Sequence, residues 1–440
     1  MFHRQVDADE FPETGGWWNP TPESHAKAAF SSHLMKRFAA KARDFLRNEI
    51  GVKALLATEN NGPVLSPVME MRAHAGDYID FHFYVDHPTG PDSRLGLVSK
   101  LDNSNPLSRY RKPYRSIGFK RVWGSPLCVS ESNFCGPNEY RSMAGLLTGA
   151  FSAIQDWTGI WTFTYAHSRE KLLHDGYAPS GRFDLALDPV MQASDRLALL
   201  LFLRGDQKTP SAAYANVFDT EAMSVTDPKP LSASPGWRES GLEWRARLGI
   251  SFDGKCPDGV TCVKAYPETE VPPGNPPSVG VSADSETGRF TVCGERTAGG
   301  FAFPGDRIEA GPLVAIVKGT QATVAASTLD TNPIRSSRRI LVWHLTDLQG
   351  EGIVFKDETR RGIVKWGTEK LIVRDGEAEI ALALEDPVDC KVFALESDGR
   401  RSSGIPAVVK DGKLCFTASV RQADGACMNY EVVRCAGAED

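Results

Sequence analysis

Glu131 is the side chain whose setting could do chemistry most directly. It follows Leu127 to Ser130, a short run of strand character, and it precedes a loop built from Ser132, Asn133, Gly136, Pro137 and Asn138. Glu139 and Tyr140 then open a helical run, Tyr140 to Ile154. A strand, an acid at its C-terminal tip, a loop and a helix make one unit of a parallel α/β sheet. Catalytic groups gather at such tips because loops from several strands converge there. An acid near a helix start also arises for dipole reasons alone.

Three further tips carry reactive or sugar-binding types. Val52 to Ala57 ends in Glu59 and Asn60. Tyr78 to Pro88 supplies His82, Tyr84, Asp86 and His87. Asp156 to Tyr165 carries Trp157 and Trp161, with His167 beyond it. Carboxylate, imidazole, phenol and indole on one rim suit a carbohydrate: indole faces stack on a pyranose, and the polar groups take its hydroxyls. Retaining glycoside hydrolysis needs two carboxyl groups ~5–5.5 Å apart, one nucleophilic and one a general acid/base. Glu131 is the candidate nucleophile, and Tyr84 can donate a hydrogen bond that keeps it ionised. Glu59 is the one nearby tip carboxylate for the acid/base role. Asn60, His82, Tyr84, His87, Asn133, Trp157 and Trp161 are the candidate substrate contacts. Trp157 fits a core position equally well, and His167 fits a hydrogen bond to a loop.

The elements that would hold these tips alternate. A helix from Ser24 to about Glu49, with Leu34, Phe38, Phe45 and Leu46 at 3–4 spacing, ends at Gly51. Strands are expected at 52–57, 79–84, 126–130 and 159–164, with helices at about 68–75, 140–154 and around Met191 to Leu201. Four strand–helix alternations between about 52 and 204 predict a parallel βα array. The basic stretch Arg109 to Arg121 reads as a solvated loop. Residues 205–285, rich in Pro, Gly and Ser, read as an irregular linker or insert, with Pro272 to Pro277 as a stiff segment. After about 286, short alternating runs separated by turns such as Asp375-Gly376 and Asp411-Gly412 predict a β-sandwich to the C-terminus.

The chain has 440 residues, enough for two or three domains, with 50 basic and 56 acidic side chains and a net charge of −6. That balance excludes recognition of nucleic acid or a membrane surface through bulk charge. No run of ~18 apolar residues is present for a transmembrane helix. The start has no apolar signal region, which points to the cytoplasm, or to secretion or the periplasm if the natural N-terminus lies upstream. Nine cysteines show no paired metal spacing. Cys256 and Cys262 flank a turn that suits a small disulfide loop, and the other thiols read as scattered buried side chains.

Val129-Ser-Glu-Ser-Asn133 resembles the seventh-strand nucleophile motif of the clan of (β/α)8 retaining glycoside hydrolases that includes family 5 cellulases and family 42 β-galactosidases. Asp80 to Pro88 resembles their sixth strand, and Gln155 to Tyr165 their eighth, which makes Val52 to Asn60 strand five. The resemblance covers roughly residues 30–205 and implies a partial (β/α)8 barrel, strands five to eight, in the segment 1–204. It implies hydrolysis of β-linked oligo- or polysaccharides without cofactor or metal. One departure matters: the clan's acid/base is a Glu after an Asn on strand four. Asn48-Glu49 falls in a helix and Asn138-Glu139 follows the nucleophile. The acid/base half is therefore expected from a missing N-terminal half-barrel, a partner subunit such as a homo-oligomer mate, or nowhere. In the last case the chain is a non-catalytic carbohydrate-binding protein.

Overall fold

The computed structural model describes residues 22–58, 60, 72, 74–108, 121–173, 183–218, 241–252, 256–263, 278–283, 288–368, 370–423 and 425–435. The fold is β-rich. Helix α1 (Pro22–Asp44) leads through a π-turn, Phe45–Glu49, into an extended segment. Ile79–Val85 (β1), Leu127–Phe134 (β2) and Gly159–Thr162 (β3) then form a parallel sheet in the order β1-β2-β3.

The period of two along β1 divides its side chains cleanly. Ile79, Phe81, Phe83 and Val85 join Leu146, Leu147 and Phe151 of helix α2 (Ala144–Ile154) in one core. Asp80, His82 and Tyr84 occupy the opposite face. Every residue of α2 is buried, because α3 (Pro189–Ala198) and the C-terminal region cover its remaining sides. Helix α3 begins where the Asp188 carboxylate accepts the Met191 N–H and Pro189 takes the first turn. The two helices touch backbone to backbone: a Cβ on Gly145 would lie 1.6 Å from the Ser194 carbonyl oxygen.

Three expectations need correction here. The segment 52–57 is not a strand. Its only described tie to β1 is at the start, where Leu56 and Asp77 exchange backbone and carboxylate bonds of 2.7 and 2.8 Å. A two-sided apolar run becomes a strand only when neighbouring strands and covering layers surround it, and here Leu55 is 72% exposed. The described parts of 205–285 are not irregular throughout. They hold a second parallel sheet of Ala213–Phe218 (β4), Arg247–Phe252 (β5) and Thr261–Val263 (β6), ordered β5-β4-β6. Gln155 anchors it, donating to the carbonyls of Glu243 and Ala246 and accepting from the Leu248 N–H. Cys256 and Cys262 are disulfide-bonded beside β6. The Pro272–Pro277 segment lies outside the described residues. Arg121 is buried rather than solvated. It donates to the carbonyls of Gln155 and Asp156, and burial holds its guanidinium down to about 10. The rest of the basic loop, and most of the helix expected near 68–75, lie outside the described residues.

The C-terminal region stacks two antiparallel sheets. One has eight strands: Val279–Ala283 (β7), Gly288–Cys293 (β8), Thr297–Ala302 (β9), Ala322–Thr328 (β12), Arg339–Leu345 (β13), Cys390–Leu395 (β15), Arg401–Ile405 (β16) and Asn429–Arg434 (β19). The other has five: Arg307–Ala310 (β10), Leu313–Lys318 (β11), Glu377–Leu382 (β14), Ala407–Lys410 (β17) and Lys413–Ser419 (β18). Ile340, Val342, Ile380, Leu414 and Phe416 fill the space between them. The outer face of the eight-stranded sheet sends Phe301, Ala325, Trp343 and Leu345 into the core that contains α2. Arg204 ties the same junction, donating to the Thr328 carbonyl at 2.8 Å and to the Ser327 hydroxyl at 2.6 Å.

Candidate functional site

The site is assembled where β1 and β2 run side by side. Phe81 opposes Val129, but His82 opposes Glu131, so Ser130 is an extra residue in β2. This bulge breaks the alternation, and Ser130 and Glu131 both come to the face that carries Asp80, His82 and Tyr84. Bulges commonly re-aim side chains next to functional sites.

The polar groups form one connected chain. Tyr84 Oη donates to Glu131 Oε2 at 2.6 Å, and His82 Nδ1 lies 3.1 Å from the same oxygen. On its other side, His82 Nε2 is 3.0 Å from Ser130 Oγ. Ser130 Oγ donates to Asp80 Oδ2 at 2.7 Å, and the Ser130 N–H donates to Asp80 Oδ1 at 2.9 Å. Burial pushes the Tyr84 phenol well above its usual range, and the Glu131 hydrogen bond and charge add to the shift. Tyr84 therefore keeps its hydrogen and acts as a donor. Glu131 retains 31% of its side-chain exposure, so its carboxylate is reachable from outside while one oxygen is fixed.

Aromatic rings wall the Tyr84 side. Phe183, His87 and Phe163 stand edge-on to Tyr84 at centroid distances of 5.3, 5.6 and 6.3 Å. Asn133 is buried and acts as a brace, its amide donating to the carbonyls of Phe163 and Phe183. His167 pairs through Nδ1 with the fully buried Asp184 carboxylate. Trp161 on β3 is 56% exposed and lies across Gly159, where a Cβ would sit 2.7 Å from the indole.

The candidate residues thus separate. Glu131, Tyr84 and His82 come together, with His87 and Asn133 in the surrounding wall. Trp157 does not join them: it is buried in the core against Phe151 and Phe83, so its ring cannot stack on a sugar. Asn60 is exposed and makes no described contact with Glu131. Glu59 lies outside the described residues. Asp80 and Ser130 were missed, as were Phe183 and Asp184. Asp80 was legible in principle, two residues before His82 on one strand face, whereas Ser130 reaches the site only through the bulge.

Among the described residues no group of three or more His, Cys, Asp or Glu is arranged to hold a metal ion, and no helix is long and apolar enough to cross a membrane. Comparison with protein-family models, with curated proteins and with solved structures finds no match.

Proposed function

We propose that the chain is a retaining glycoside hydrolase of the (β/α)8 clan it resembles, contributing barrel strands six to eight, with Glu131 as nucleophile. The observation that carries this reading is the Glu131 carboxylate within a parallel strand, one oxygen held by the Tyr84 phenol at 2.6 Å and facing the His82 imidazole at 3.1 Å. Fixing Oε2 leaves Oε1 to attack an anomeric carbon, and Trp161 with the Phe183–His87 wall offers faces to a sugar ring. Among the described residues no strand pairs with the outer edges of β1 and β3, which supports a further part of the reading. A complementary half-barrel, from a partner subunit or an N-terminal extension, would pair those edges and bring the acid/base carboxylate.

The test is hydrolysis of aryl β-glycosides, whose leaving groups need little protonation. The wild-type chain is expected to cleave them and to be slow on natural oligosaccharides, for which the missing general acid is worth ~10²–10⁴-fold. Glu131→Gln is expected to lose activity by on the order of 10³-fold or more. Unchanged turnover in that variant overturns the assignment. Saturable sugar binding without turnover in the wild type replaces it with the rival reading, a non-catalytic carbohydrate-binding protein.

A further inference from the structure

We infer that Asp80, Ser130 and His82 form a positioning relay that leaves one proton shared between His82 Nδ1 and Glu131 Oε2. The inference deepens the hydrolase reading and draws its functional consequence from it, but its physical content stands on hydrogen-bond bookkeeping at the bulge. An ionised carboxylate only accepts, so the 2.7 Å contact of Ser130 Oγ with Asp80 Oδ2 uses the hydroxyl hydrogen. The Ser130 N–H, 2.9 Å from Asp80 Oδ1, holds the carboxylate in the orientation that makes this so. Ser130 Oγ then has only lone pairs for His82, and the 3.0 Å contact requires a hydrogen on Nε2.

That commitment decides the other nitrogen. A neutral imidazole protonated at Nε2 would turn the bare lone pair of Nδ1 toward a carboxylate oxygen 3.1 Å away, which is repulsive. The contact is attractive only with a hydrogen between the two atoms. That hydrogen resides on Nδ1, as an imidazolium–carboxylate pair, or on Oε2, as a carboxylic acid donating to the ring. The pair therefore holds one proton in both forms. Among the described residues the other titratable groups on this face are Tyr78, Asp80 and Tyr84 from the β1 segment and Cys128 from β2. Burial pushes Tyr78, Cys128 and Tyr84 above their usual ranges, so none of them competes as a base.

The consequence for the proposed reaction is selective. With the proton on Nδ1, Glu131 is ionised, Oε2 is held by two donors, and Oε1 receives no hydrogen bond from the described residues. His82 thereby stabilises the ionised nucleophile and picks the attacking oxygen. Without Ser130 and Asp80, the Glu131 carboxylate facing Nδ1 would select the Nδ1–H tautomer, a plain neutral donor.

The test is nitrogen NMR of the full chain labelled with ¹⁵N at the histidine rings, with the His82 signals assigned by their loss in His82→Gln. In the wild type at neutral pH, Nε2 is expected to carry a proton. In Ser130→Ala, and in Asp80→Asn, whose amide can donate to Ser130 and turn its hydroxyl onto the ring, His82 is expected to switch to the Nδ1–H tautomer with a bare Nε2. Wild-type protein with a bare Nε2 overturns the inference, even if both variants fail to fold. A folded variant of either kind that keeps Nε2 protonated also overturns it. The spectra need no substrate, so a failure here leaves the hydrolase reading standing, and a chain without hydrolytic activity leaves the relay standing.

Discussion

The parallel sheet and the C-terminal sandwich solve the same problem to different degrees. In the sandwich, each inward-facing side chain meets a second sheet: Ile340, Val342, Ile380 and Phe416 are at most 5% exposed. In the parallel sheet, α2 and α3 bury one face of β1 and β2, but Gly159, Ile160 and Thr162 of β3 stay half-buried. Around β3 and in the turn that follows α3, Trp161, Tyr165 and Leu203 stay 56%, 64% and 72% exposed. Apolar burial supplies most of the favourable term in folding, so stability concentrates in the sandwich and in the core it shares with α2. In the parallel sheet Glu131 keeps 31% of its side-chain exposure while Tyr84 and His82 fix one of its oxygens. The candidate site lies in the region that closes itself less completely.

The sharpest way to break this comparison is at the shared core. Trp343, 1% exposed on β13, joins the sandwich to the helix layer. Trp343→Ala is expected to cost about 3–5 kcal/mol, read as a shift of the denaturation midpoint. A loss below about 1 kcal/mol would mean that the two regions fold independently.

A second prediction concerns pH. His344 is fully buried on β13, neither ring nitrogen has a partner among the described residues, and burial holds its imidazole down to about 4 from an ordinary 6.5. Because the unfolded chain takes up a proton before the folded chain does, stability is full above about 6.5, falls as pH drops toward 4, and levels below it. The loss across that window is on the order of 3 kcal/mol. His344→Leu is expected to flatten this part of the acid limb without loss at neutral pH, since no hydrogen bond is sacrificed. Urea titrations between pH 4 and 7 check it.

The architecture was legible where local pattern and surroundings agree. Phe290 to Cys293, Leu313 to Lys318 and Glu377 to Leu384 alternate, and each lies on a strand with one face covered. The two-sided runs at β1 and β2 were equally readable. Val52 to Ala57 has the same texture, yet what makes a strand there is a neighbour rather than a pattern. Thr297–Ala302 was missed for the opposite reason: Gly299 and Gly300 look like a loop, but they let three strands approach, and a Cβ on Gly299 would lie 2.5 Å from that of Ala325. At the site, Glu131, Tyr84 and His82 were readable from type and spacing. Ser130 was not, since a bulge leaves no mark on a period of two.

Smaller effects sharpen the contrast at the site and at the exposed turn after α3. Tyr84→Phe removes one hydrogen bond to a charged oxygen, worth about 1.5–3 kcal/mol, and is expected to slow aryl glycoside cleavage by ~10- to 100-fold with little change in the thermal midpoint. Leu203→Ser is expected to change the stability of the isolated chain by no more than about 0.5 kcal/mol, because that side chain is 72% exposed. A larger loss in equilibrium unfolding would show that this side chain is already covered in solution, by a second copy or by another part of the chain.

The central claim is that Glu131 is a nucleophile, and covalent capture tests it most directly. A 2-deoxy-2-fluoro-β-glycoside with a dinitrophenolate leaving group slows both steps through its fluorine, yet still forms the glycosyl-enzyme because its leaving group needs no acid. Incubation followed by peptide mass spectrometry is expected to find one fluorosugar ester on the peptide containing Glu131 and none in Glu131→Gln. Labelling of a different carboxylate, with Glu131 unmodified, would contradict the account.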